Sequence, residues 1–329
     1  MDRAPEDDPA LVAERLRREA RKEAGLFGAG RRDARRRATM ARALRLSGLA
    51  GPGRRNALDV RLTRHALRLD GLPDALDGLA VLQLGDPHWR ETRDEAHERG
   101  LLELVRATPH ELLVLTGDYR DRSFGAFDGA LAALARLRAA TGAPAIAVLG
   151  NHDSIRMAEP MRRLGIEVLV NAHAHVRFDA RGGRFRGAEL AVAGVDDPAY
   201  YRLHDARAAT RGIAPGTPTL LLAHSPAVAD AVARDCPAVH ACLSGHTHGG
   251  QIRLPGGVPL ARHLGVPGDT LAGPWSRPRA GGGTLHGYTT LGCGTSILDA
   301  RFFCPPELVL HELRRAGEPD AGGARGASA

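Results

Sequence analysis

Aromatic side chains are scarce in this chain, at 4% of residues, and Lys22 is its only lysine. So few aromatics argue against a platform on which nucleic-acid bases stack. No zinc-finger spacing and no recognition helix stands out, so nucleic acid is not an expected partner. The four cysteines, Cys236, Cys242, Cys293 and Cys304, fit no structural zinc pattern and read as buried, reduced thiols of a cytoplasmic protein. Nowhere do about 20 apolar residues run together, which excludes a spanning helix. The first residues are charged rather than apolar, and arginines interrupt the stretch after Arg31 and Arg32, so no export signal is expected. Placement in the cytoplasm, with room for attachment to the inner membrane face, is the expectation.

What is present is an ordinary globular composition, 43% apolar and 25% charged over 329 residues. The net charge of +7 is uneven: 18 basic and 9 acidic residues up to Arg68 give +9, and the other 27 basic and 29 acidic residues give −2. A basic front end suits anionic lipid headgroups. Abundant Ala, Gly and Arg also give a plainer account, a skewed base composition. Apolar residues Leu11, Val12, Leu16 and Ala20 predict an amphipathic helix over 11–27. Residues 28–56 read as a flexible arm or a lid. The chain thus divides into a basic N-terminal extension (1–56), a main domain (57–314) and a disordered tail (315–329). Every candidate functional residue lies beyond 56, so removing the extension is expected to spare the site.

From Leu79 a grammar repeats. Short apolar runs end in a polar residue: Leu79–Leu84 before Gly85-Asp86, Leu112–Thr116 before Gly117-Asp118, and Ala145–Leu149 before Gly150-Asn151. Leu220–Ala223 ends at His224, and Ala241–Ser244 at Gly245-His246. Helical patterns at 92–108 and 126–141 separate the first three, which predicts βαβ units. Further strand-like pieces near Val168, Leu190–Val195, Gly287–Leu291 and Glu307–Glu312 predict a second, mixed sheet. In such folds ligands gather beyond the carboxyl ends of strands.

Those ends carry Asp86, His88, Asp118, Asn151, His224, His246 and His248. Singly, each has a plain reading as a turn or surface residue. Together, mixed oxygen and nitrogen donors suit Mn²⁺, Fe²⁺ or Zn²⁺ better than Mg²⁺ or Ca²⁺. Seven donors are too many for one tetrahedral ion and suit two ions sharing a carboxylate. Two ions about 3.5–4 Å apart clamp phosphate oxygens and turn a bridging water into hydroxide near neutral pH.

Asp86-x-His88, Gly117-Asp118, Gly150-Asn151-His152-Asp153, His224 and Gly245-His246-Thr247-His248 together resemble the calcineurin-like metallophosphoesterase superfamily. The stretches 245–252 and 301–307 are similar to a bacterial branch of phosphodiesterases and enzymes that cleave the pyrophosphate of UDP-diacylglucosamine. The resemblance implies an α/β/β/α sandwich of two mixed sheets flanked by helices. It implies two divalent ions, the first on Asp86, His88 and His248, the second on Asn151, His224 and His246, bridged by Asp118. His152 then stands beside the leaving group, either as proton donor or as a residue that only supports the metals, and Asp153 either orients it or holds a turn. Arg301 either contacts substrate phosphate or is a solvated arginine. Phe302 and Phe303 read as core. His173, His175, His204, His263 and His286 have no supporting pattern, and Asp196-Asp197 either shapes the site rim or forms a turn. Pro87 departs from the family pattern and leaves that loop's shape open. The substrate is a small phosphodiester or a lipid-linked pyrophosphate; a scaffold that keeps its metals without turnover is the rival class.

Overall fold

The computed structural model describes residues 8–92, 94–178, 184–260 and 265–316. It opens with helix α1 (Pro9–Leu46), whose Asp8 cap accepts the Ala10 N–H at 2.9 Å and whose first turn contains Pro9. The helix runs well past residue 27, to Leu46, over part of the stretch read as a flexible arm or a lid. Alanine and arginine dominate residues 31–46, and both are strong helix formers that outweigh the glycines before them. Helix α2 (Ala50–Leu58) follows.

The main domain then alternates strands and helices. Its first half holds β1 (Arg61–Leu69), β2 (Ala80–Leu84), α3 (Glu95–Ala107), β3 (Leu112–Leu115), α4 (Asp128–Ala139), β4 (Ala145–Ala147), α5 (Ala158–Arg163) and β5 (Ile166–Val168). The second half holds β6 (Ala172–Arg177), β7 (Glu189–Gly194), α6 (Ala206–Thr210), β8 (Thr219–Leu222), α7 (Ala229–Asp235), β9 (Ala241–Ser244), β10 (Gly273–Pro278), β11 (Thr284–Thr289) and β12 (Glu307–Arg315). Two six-stranded mixed sheets result, ordered β1-β12-β2-β3-β4-β5 and β10-β11-β9-β8-β7-β6. Strands β2 to β5 are mutually parallel, as are β7, β8, β9 and β11.

The apolar runs are continuous because both faces of each sheet are covered. Side chains alternate between two cores. Val81, Leu112, Val114, Ile146 and Val148 meet Leu190, Val192, Leu220, Leu222 and Leu243 between the sheets. Their neighbours Leu82, Leu84, Leu113 and Leu115 face Leu101, Val105, Leu134 and Leu137 of α3 and α4, and Leu11, Val12 and Leu16 of α1 join that layer. Leu221, Ala223 and Cys242 face Val232 of α7 on the far side. The architecture is therefore the four-layer α/β/β/α sandwich. Each fully buried leucine contributes about 2 kcal/mol, so these layers fix the strand ends firmly.

Two differences from the sequence reading matter here. Strand β12 extends to Arg315, and 317–329 lie outside the described residues, as does His263. Phe303 is 61% exposed rather than core, because it sits on the loop before β12. As expected, all four cysteines are buried and free. Among the described residues no helix is long and apolar enough to cross a membrane.

Candidate metal centre

The carboxyl ends of β2, β3, β4, β8 and β9 bring the seven candidate ligands to one edge of the sandwich. The loops after β2 and β3 keep pairing beyond the strands: Asp86 N–H donates to Gly117 O and His88 N–H to Asp118 O, at 3.0 and 3.1 Å. The turns are tight enough to need glycine. A Cβ on Gly150 would stand 2.2 Å from Asp118 Oδ1, and one on Gly245 would stand 2.3 Å from Asp86 Oδ2. Asp86, His88, Asp118, His246 and His248 all have positive φ, between 47° and 72°. Left-handed backbone costs a non-glycine residue on the order of 1 kcal/mol or more, and such outliers gather at functional sites.

The donors form linked groups, Asp86 with His88 and His248, and Asp118 with His224 and His246, each within 4.8 Å. His88 Nε2 lies 3.0 Å from His248 Nε2 and 3.6 Å from Asp118 Oδ2. His224 Nε2 lies 3.4 Å from Asp118 Oδ1, 3.1 Å from Asn151 Oδ1 and 3.2 Å from His246 Nδ1. Asp118 thus turns one oxygen to each group. The other nitrogen of His224 donates to Thr116 O at 2.8 Å, which turns Nε2 inward to where a proton or a cation can sit. Pro87 does not prevent this convergence.

The charges fit cations. Burial pushes the Asp86 carboxyl up to about 7, and burial pushes His88 down to about 3. Burial also opposes a charge on His224, but Asp118 and then Asp86 outweigh it and raise its pKa to about 10. Burial resists ionisation of Asp118 as well, yet His224 and His152 hold it well below the usual carboxylate range. A proton on His224 therefore balances these carboxylates until a metal replaces it. The donors, two buried carboxylates, imidazole nitrogens and a neutral amide oxygen, suit two divalent ions. Ligands must be deprotonated, and the raised pKa values of His224 and Asp86 make protons compete with a cation at both. Mn²⁺ binding to metal-free protein at pH 7 should release protons and tighten as pH rises. Calorimetric titration in buffers of different ionisation enthalpy measures this; binding without proton release would contradict the charge balance.

His152 stands beside the pair. Its Nδ1 donates to Asp121 O at 2.7 Å, its Nε2 lies 3.9 Å from Asp118 Oδ2, and its backbone N–H donates to Asp118 Oδ1 at 2.8 Å. Of its two readings, Asp153 takes the turn. It is fully buried and does not hold the imidazole of His152. Its oxygens accept backbone N–H groups of Asp118, Gly150 and Tyr119 at 2.7, 2.8 and 2.9 Å, and of Arg120 at 3.4 Å. Burial, then the Asp118 charge, raises its pKa against those donors.

Arg301 is a correction. It is completely buried, and its guanidinium is spent on the carbonyls of Leu291, Gly292, Gly294 and Cys304, so it reaches neither solvent nor substrate. One nitrogen lies 3.2 Å from His248 Nδ1, so Arg301 braces that ring from behind. His173 and His175 lie on β6, bound to Ala209 O and Glu189, away from the site. Asp197 caps a turn by accepting N–H groups of Ala199, Tyr200 and Tyr201, while Asp196 pairs with Arg15 at 3.3 Å.

A cleft of about 430 Å³ opens on the Asn151 and His246 side, lined also by Tyr200, Arg202 and His204. The reading from sequence gave His204 no role. It also missed Arg15, Glu19 and Lys22, which the sequence places more than a hundred residues from the loop they touch.

The calcineurin-like phosphoesterase family matches residues 79–250. A bovine (Bos taurus) transmembrane protein with metallophosphoesterase domain is 31% identical over 193 residues, 55% of this chain and 43% of that protein. The chain thus spans less than half the length of that relative. The phosphodiesterase YaeI of Escherichia coli K12 is 30% identical over 218 residues, 62% of this chain and 70% of YaeI. Among solved structures, Haemophilus influenzae NAD nucleotidase is similar with a TM-score of 0.43 and 16% identity, over 66% of this chain and 51% of that one.

Proposed function

Because the chain belongs to the calcineurin-like phosphoesterase family, we propose that it hydrolyses a phosphodiester or pyrophosphate bond with two divalent cations. The observation that carries this reading is Asp118, whose two oxygens face the two imidazole groups at 3.6 and 3.4 Å. In this reading Asp86, His88 and His248 hold one cation, Asn151, His224 and His246 the other, and Asp118 both. When bound, the cations supply charge to the phosphoryl oxygens and a nucleophile at neutral pH. A phosphodiester is favoured by the name of the Escherichia coli relative. The test is elemental analysis with hydrolysis of bis-p-nitrophenyl phosphate in Mn²⁺. Two tightly bound metals with no turnover on any phosphoester would support the scaffold instead.

His152 carries the leaving-group proton. With Nδ1 committed to Asp121 O, its Nε2 is the atom free to donate. His152→Ala should keep both metals and slow alkyl esters by about 10²-fold or more, with a smaller loss for p-nitrophenyl esters, whose leaving group needs no proton. Equal losses across leaving groups, measured by kcat, would remove this role.

A lipid-linked pyrophosphate, of the UDP-diacylglucosamine kind, is the second reading. It is favoured by apolar side chains that are about half exposed or more, Leu254, Val258, Leu260, Ile297 and Phe303, on loops tied together through Gln251. Sedimentation with anionic vesicles, alongside turnover of lipid-linked and soluble pyrophosphates, separates the two.

A further inference from the structure

Helix α1 lies against the loop that carries Asn151 and His152. Arg15, Glu19 and Lys22 fall at helical spacing on one stripe, about two turns long. Arg15 is wholly buried. Its Nη2 donates to Gly150 O and Asp153 O, both at 3.1 Å, and its Nη1 pairs with Asp196 at 3.3 Å. The same guanidinium lies 3.3 Å from the ring centroid of Tyr201. Glu19 accepts the Ser154 hydroxyl at 2.7 Å and the Ile155 N–H at 2.8 Å. Lys22 donates to Asn151 O, with its ammonium 4.1 Å from the centre of the Tyr200 ring. Arg18 donates to Tyr201 O.

These contacts have a common target. They take the polar groups of Gly150, Asn151, Asp153, Ser154 and Ile155, together with the Tyr200–Tyr201 wall of the cleft beside them. Plain packing of α1 would need only apolar side chains; burying a guanidinium and an ammonium costs free energy that suits groups chosen to satisfy carbonyls. Asn151 offers a neutral amide oxygen, the weakest donor of its set, so its use as a ligand depends on where the loop backbone holds it.

We propose that the first turns of α1 are a positioning strap for the second cation: Arg15, Glu19 and Lys22 hold residues 150–155 so that Asn151 and His152 keep their places. This rests on the reading of Asn151 as a ligand. The catalytic unit then begins at Pro9 rather than at residue 57, and removing residues 1–56 does not spare the site.

The test uses the full chain with Arg15→Met, Lys22→Met, Lys22→Arg, Asn151→Ala and, as a control, the exposed Arg17→Ala. Mn²⁺ per chain is measured after dialysis against a graded chelator, with the melting temperature of each metal-free protein. Arg15→Met and Lys22→Met should bind the second cation about 10–100-fold more weakly, the range expected for partners that orient a ligand. Metal content then falls from about two per chain toward one, and Lys22→Arg recovers part of the loss. Excess Mn²⁺ should restore activity, and Arg17→Ala should match the parent. If Arg15→Met does not fold, Lys22→Met decides. The strap is overturned if Lys22→Met melts like the parent and keeps both metals at the same chelator level while Asn151→Ala loses one. If Asn151→Ala itself keeps both, the ligand reading fails first and the strap with it.

Discussion

Asp118→Asn should lower hydrolysis of bis-p-nitrophenyl phosphate on the order of 10³-fold or more and cut bound Mn²⁺ from about two per chain to about one or none. The substitution keeps the side chain's shape, so the fold is not the variable. It removes the charge that outweighs burial at His224, and it replaces one of the two oxygens that face the imidazole groups. An amide can give one oxygen to one cation, but its NH₂ end repels the other. Elemental analysis and kcat on one preparation check both parts together. A variant that retained two metals and most of its activity would remove the bridging role.

Asp153→Ala should behave differently, with a large loss of stability. Asp153 ties the turn after β3 to the turn after β4 by accepting four backbone N–H groups. Each buried donor left without a partner costs about 1–3 kcal/mol, so the variant should lose on the order of 4 kcal/mol or more. Asp153→Asn should fall between, because an amide keeps one accepting oxygen. Urea unfolding of the metal-free proteins measures this. Had Asp153 acted by orienting the imidazole of His152, Asp153→Ala would lower kcat and leave the unfolding midpoint in place.

The seven candidate ligands were legible because each follows a short apolar run, and strand ends are where this kind of sheet collects its chemistry. The central strands were legible for the same reason. Strands β1, β6 and β10 were not, and all three lie at sheet edges. An edge strand has one free side and carries charge or proline there, as in Arg61, Arg64 and Arg68 of β1 or Pro274 and Pro278 of β10. Asp153 and Arg301 show a second limit. Both sit where a catalytic or substrate-binding residue would sit in sequence, but their partners are backbone groups that only the folded chain brings near. The same holds for Arg15 and Lys22, whose targets lie 135 and 129 residues away.

The left-handed turns at Asp86, His88, Asp118, His246 and His248 have an evolutionary consequence. Glycine would relax each of them, and in doing so would delete a donor. Selection for heat tolerance alone would thus pull these positions toward glycine and silence the protein. Catalysis here is held against the chain's own conformational preference, and a lineage freed from its substrate should drift first at these five places.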